Sequence, residues 1–149
     1  MNNIYQTTLA KPVTFKGVGL HSGKISTIKI LPTKANHGVV FKRVDIAKNN
    51  IVEANFKKVT SAKLCTTLEN DFGVKVSTVE HLLAAFYIAG IDNVLVEIDN
   101  EEVPIMDGSA KDFLEILKKT EFEIFSEKRN FIKVLDKFEF KDGEKRISI

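Results

Sequence analysis

The sequence predicts an α+β fold: a two-layer domain of a mainly antiparallel sheet with two helices, followed by the first β-hairpin of an incomplete second domain. Three observations carry this. Short, often β-branched segments bounded by Gly, Pro or Asn recur through residues 4–98. Two stretches with helical apolar periodicity stand between serine and glycine punctuation. Residues 131–149 then return to a β pattern around a Lys-Asp-Gly turn.

In chain order, strands are expected at residues 4–9, 13–15, 25–31, 39–44, 64–68 and 93–98; in the last, Val94, Val96 and Ile98 fall on one face. The first helix is expected over residues 78–89, with Ser77 as N-cap and Gly90 ending it at C′. Val79, Leu82, Leu83 and Phe86 form one apolar stripe, and the opposite side carries His81, Ala84, Ala85 and Ile88 in place of charges. That pattern predicts a helix covered on both sides. The second helix is expected over residues 110–119, capped by Ser109, with Ala110, Phe113, Leu114 and Leu117 inward and Lys111, Glu115, Lys118 and Lys119 outward. Residues 121–130 mix charge with a few apolar side chains, which puts a domain boundary near 126–130 and divides the chain into 1–126 and 127–149. A lone hairpin is marginal in water, so the strands of 131–149 need a layer to pack on.

Composition narrows the function classes. A formal net charge of +2 lacks the basic footprint of a dedicated nucleic-acid binder. The single Cys65 forms no internal disulfide, so a cytoplasmic protein is the default. No apolar run approaches the roughly 18 residues of a membrane helix, and the opening MNNIYQTTLAKPVTF has no signal-peptide core.

The most informative segment is Ser77-Thr78-Val79-Glu80-His81-Leu82-Leu83-Ala84-Ala85. Ser77 and Glu80 have the spacing of a capping box, in which Glu80 reaches back to the Ser77 amide, and His81 alone is readily a packing residue. A carboxylate beside a histidine on a small-residue helix face also suits a metal ligand next to a general base. Catalytic zinc takes three protein ligands and keeps a fourth position for water, and a neighbouring carboxylate can take that water's proton. One His and one Glu are half of such a site. Residues 17–23, GVGLHSG, form a glycine-rich connection around His21, which a tight turn also explains. Cys65, in Leu64-Cys65-Thr66, is most simply a small buried hydrophobe. The run Glu102-Val103-Pro104-Ile105-Met106-Asp107-Gly108-Ser109-Ala110 reads as a strand-to-helix connection, and His37 sits in a turn.

Taken in order, GVGLHSG at 17–23, LCTTL at 64–68, STVEHLLAA at 77–85, GIDNVLVEID at 90–99 and EVPIMDGSA at 102–110 closely resemble the UDP-3-O-acyl-N-acetylglucosamine deacetylase family of lipid A biosynthesis. The resemblance implies two α+β domains with the active site between them. It implies removal of the N-acetyl group of UDP-3-O-acyl-N-acetylglucosamine by a zinc amide hydrolase. By the same resemblance His81 matches a zinc ligand, Glu80 the general base, His21 a loop histidine at the mouth of the substrate site, and Leu64 with Cys65 a wall of that site. The family's other zinc ligands, in an H-x-x-x-D element, belong to the second domain, and no such element precedes Ile149. The expectation is an incomplete portion, inactive alone, whose partners are the UDP-sugar substrate and the second deacetylase domain. The competing reading is a catalytically silent partner-binding domain of the same fold. Nucleic-acid binding rests on fold analogy alone.

Overall fold

The computed structural model describes residues 4–149. Alternation in ISTIKILP lays down the longest strand, β3 (Ile25–Pro32), with Ile28 and Ile30 buried between exposed Thr27 and Lys29. β2 (Val13–Val18) pairs antiparallel with it on one side and β9 (Val94–Ile98) on the other. β9 is central: its far edge runs parallel to β4 (Val39–Arg43), which in turn carries β5 (Ile51–Glu53). The five strands lie in the order β2-β3-β9-β4-β5.

The registers place apolar side chains in rows across one face. Val52, Phe41, Val96 and Ile30 form one row, and Ile98 and Ile28 belong to the next. All six are fully buried, as is Val94, so the expected inward face of β9 is the one observed. The other face is mixed: Leu31, Leu95 and Val40 form a row on it, and beside them Lys42 pairs with Glu97 at 2.9 Å. Two helices, α1 (Glu80–Ala89) and α2 (Lys111–Leu117), add Leu82, Ala85, Phe86, Phe113 and Leu117 to the same core. Phe113 meets Phe15 edge-on at 5.6 Å. The result is the two-layer, mainly antiparallel α+β architecture expected.

Smaller sheets flank this body. β1 (Tyr5–Leu9) pairs antiparallel with β10 (Phe122–Lys128), so part of the charged stretch 121–130 is a strand that returns the chain to its start. β6 (Val59–Ser61), β7 (Thr67–Glu69) and β8 (Lys75–Ser77) form a three-stranded sheet that contributes Leu68 and Val76 to the core. β11 (Glu139–Asp142) and β12 (Lys145–Ser148) make the expected hairpin, turning after Asp142 at Gly143, and every side chain of 131–149 is exposed.

Several boundaries differ from the sequence expectation, each for an identifiable reason. The strand expected at 64–68 starts at Thr67, because Leu64 has a left-handed backbone (φ 71°). Ser77 does not cap α1: it is the last residue of β8, Thr78 reverses the chain at φ 57°, and helix begins only at Glu80. The Ser77–Glu80 capping box is therefore absent; Glu80 bonds elsewhere. Ser109 likewise precedes α2 by two residues, its hydroxyl accepting from the Lys111 amide at 3.0 Å. Gly90 does end α1 as expected, in the left-handed conformation (φ 76°) that a side chain would strain. Finally, α1 is covered on one side only. Ala85 turns into the core with Val79, Leu82 and Phe86, whereas Ala84, Tyr87 and Ile88 are exposed, Tyr87 to 87%.

Candidate functional site

The head of α1 is assembled by long-range bonds. Where β8 ends, the Ser77 amide donates to the Glu101 carbonyl at 2.9 Å and the Ser77 carbonyl accepts from Val103 at 3.0 Å. These two bonds hold the segment 101–103 alongside. Thr78 then takes its left-handed turn while buried, a conformation costing a β-branched residue on the order of 1–3 kcal/mol. Its hydroxyl donates to Glu102 Oε1 at 3.1 Å. The reversal launches the helix, with Glu80 as its first residue and His81 as its second.

Glu80 is half-buried, and its Oε2 accepts from the Thr66 amide at 3.0 Å. That bond fastens the loop of Leu64 and Cys65 to the helix head. Oε1 of Glu80 has no hydrogen-bond partner among the described residues, which leaves it open to accept a proton. His81 is half-buried and its ring likewise has no hydrogen-bond partner among them. Leu64 is 84% exposed, a bare apolar side chain on a left-handed backbone. Cys65 is half-buried, with Sγ 3.8 Å from Thr67 Oγ1. His21 lies exposed in the connection between β2 and β3, and its backbone amide donates to Glu102 Oε1 at 2.9 Å. Two segments distant in sequence are thus tied to the helix end that carries Glu80 and His81: the Leu64-Cys65 loop directly, and the His21 loop through Glu102 and Thr78.

Glu102 is the residue sequence reasoning passed over. It is only 3% exposed. Besides His21 and Thr78 it accepts from the Ser22 amide at 2.7 Å. Burial by itself raises its pKa, but the His21 amide, the hydroxyl and amide of Ser22, and the Thr78 hydroxyl outweigh that. Together they hold the carboxyl below its ordinary 4.5. The available signal was a carboxylate at the edge of the apolar run Val103-Pro104-Ile105, where a charge is buried only if it is bonded.

Among the described residues no three His, Cys, Asp or Glu side chains gather as a metal-binding group. His81 fits one ligand position for zinc, and this chain's own donors do not fit a complete set. No helix among the described residues is long and apolar enough to cross a membrane.

The chain is similar to known proteins along nearly its whole length. The family model described as UDP-3-O-acyl N-acetylglycosamine deacetylase matches residues 6–149. The UDP-3-O-acyl-N-acetylglucosamine deacetylase of Vibrio atlanticus is 44% identical over 142 residues, covering 95% of this chain and 47% of the relative. That of Geotalea uraniireducens is 42% identical over 145 residues, covering 97% and 47%. That of Pseudoalteromonas translucida is 44% identical over 142 residues, covering 95% and 47%. The chain spans about half the length of the curated relatives it matches. A family match running from β1 to the last residue, through every segment bonded at the head of α1, places this chain in the UDP-3-O-acyl-N-acetylglucosamine deacetylase family.

Proposed function

We propose that this chain supplies the general base and one zinc ligand of an amide hydrolase that removes the N-acetyl group of UDP-3-O-acyl-N-acetylglucosamine. Glu80 is the base and His81 the ligand; His21, Leu64 and Cys65 line the substrate site. The observation that carries this reading is that Glu80 Oε1 and the adjacent His81 have no hydrogen-bond partner among the described residues, at the helix end to which the Leu64-Cys65 and His21 loops are tied. Glu80 Oε1 takes a proton from the water that attacks the acetamide carbonyl. The C–N bond then breaks, acetate leaves, and the proton passes to the departing amine. Zinc, when bound, lowers the pKa of its water toward about 7 and polarises the carbonyl.

The remaining ligands belong to the half of the relatives' length that this chain does not span. In the same proposal the first domain ends near residue 126 and residues 127–149 begin a second, similar domain. That domain packs on the open side of α1, over Ala84, Tyr87 and Ile88, whose exposure supports the need for a partner. In the same proposal the protein works in the cytoplasm. Zinc content measured by atomic absorption tests the division of ligands. The 149-residue chain alone is expected to bind zinc weakly, and the chain together with the other half of such a relative to bind one equivalent. Tight zinc in the chain alone refutes it.

A further inference from the structure

Glu102 does more than fill a hole, because its backbone and its carboxylate are fixed to different parts of the site. The Ser26 hydroxyl holds its carbonyl at 2.7 Å, and Ser77 grips its neighbours Glu101 and Val103. The carboxylate therefore cannot drift with the loop it binds. On the loop side it takes the amides of His21 and Ser22; on the helix side it takes the hydroxyl of Thr78, two residues before Glu80. The loop is shaped to reach it. A Cβ on Gly19 would stand 2.4 Å from Glu102 Oε2, and one on Gly17 would stand 2.8 Å from Pro104 Cβ, so residues 17–23 lie closely against 102–106. Among the described residues no cation pairs with this carboxylate; amides and hydroxyls satisfy it.

We propose that Glu102 is a positioning residue of the deacetylase site: its buried carboxylate locks the His21 loop to Thr78, so that the substrate-binding loop and the Glu80–His81 helix head hold one fixed relation. This rests on the hydrolase reading above. Glu102→Gln keeps the volume but replaces one acceptor oxygen with an amino group, which faces donors it cannot bond.

The test is residue-resolved amide exchange on the 149-residue chain. Glu102→Gln is expected to speed exchange at His21 and Ser22 by at least roughly tenfold, while Val94, Val96 and Ile98 keep their protection. Unchanged His21 and Ser22 amides overturn the proposal, and so does a uniform loss across the sheet, which marks a merely structural role. Should that variant not fold, Thr78→Val removes only the helix-side bond. It is then expected to move the His21 and Ser22 amide resonances, although Thr78 touches neither amide, and unmoved resonances overturn the lock. In a protein that also carries the other half, Glu102→Gln is expected to raise KM roughly tenfold with kcat within about threefold of the parent. Equal KM contradicts the role in substrate binding. A parent that shows no turnover refutes the hydrolase reading instead, and the exchange experiment still decides the lock.

Discussion

The two ends of α1 are both organised by a carboxylate, and they are organised for different purposes. At the C-terminal end Asp92 accepts from the Thr7 amide at 2.8 Å and from Arg129 Nε at 2.9 Å on both oxygens. Arg129 and the Thr7 hydroxyl also donate to the Gly90 carbonyl, satisfying the helix's negative end. There the bonding joins opposite charges, Arg129 against Asp92. At the N-terminal end, Glu102 is satisfied by neutral donors, and Glu80 Oε1 and the His81 ring have no hydrogen-bond partner among the described residues. The open end is the one to which the proposed function assigns Glu80 and His81.

The sharpest way to break this contrast is to cut both ends and compare. Asp92→Ala removes the carboxylate that Arg129 and the Thr7 amide share, and is expected to lower unfolding stability by about 2 kcal/mol. His81→Ala, at the open end, is expected to change it by less than about 0.5 kcal/mol in the metal-free chain. Urea denaturation measures both; equal losses would erase the distinction.

Acid titration gives a smaller effect with a definite sign. The carboxyl of Glu102 sits below its ordinary 4.5 in the folded chain. Its contribution to stability is therefore complete above about that pH and is lost as pH falls through the lower folded value. Asp45, held down by its hydrogen bond with Arg43, adds a loss of the same sign, so the parent must be read against Glu102→Gln. The gap in melting temperature between the two is expected to narrow on acidification. A gap that stays constant from neutral to strongly acidic pH would show that the ionised form is not what the site stabilises.

The smallest effect concerns residues 131–149. Their side chains are all exposed and their ordered backbone is one hairpin, in which Phe140 and Ile147 face each other without a covering layer. Amide exchange should find β11 and β12 the least protected strand pair in the 149-residue chain. Protection equal to that of β3 and β9 would contradict the view that this hairpin has no covering layer among the described residues.

What was legible in the sequence was what local chemistry decides. Val94, Val96 and Ile98 alternate with a period of two and are buried. Gly90 stops α1, and Asp142-Gly143 turns the hairpin. What was not legible depends on partners distant in sequence. Ser77 has the right identity and spacing for an N-cap, but β8 and the segment 101–103 claim its backbone, and tertiary pairing overrides capping preference. β5, β6 and β8 are three residues each, too short for a period to show. The site residues around Glu80 could be named from the resemblance, yet nothing local to Glu102 announces that it accepts bonds from residues about 80 positions upstream. The apolar run beside it hints at burial, but its partners are visible only in three dimensions.

The most direct test is to give the chain the remaining half and compare Glu80→Gln with His81→Ala for zinc content and acetate release. Glu80→Gln can still accept from the Thr66 amide but cannot take a proton. It is expected to fold, keep its zinc and turn over roughly 100-fold more slowly or worse. His81→Ala is expected to lose zinc and activity together. If Glu80→Gln binds zinc and releases acetate at the parental rate, Glu80 is not the general base.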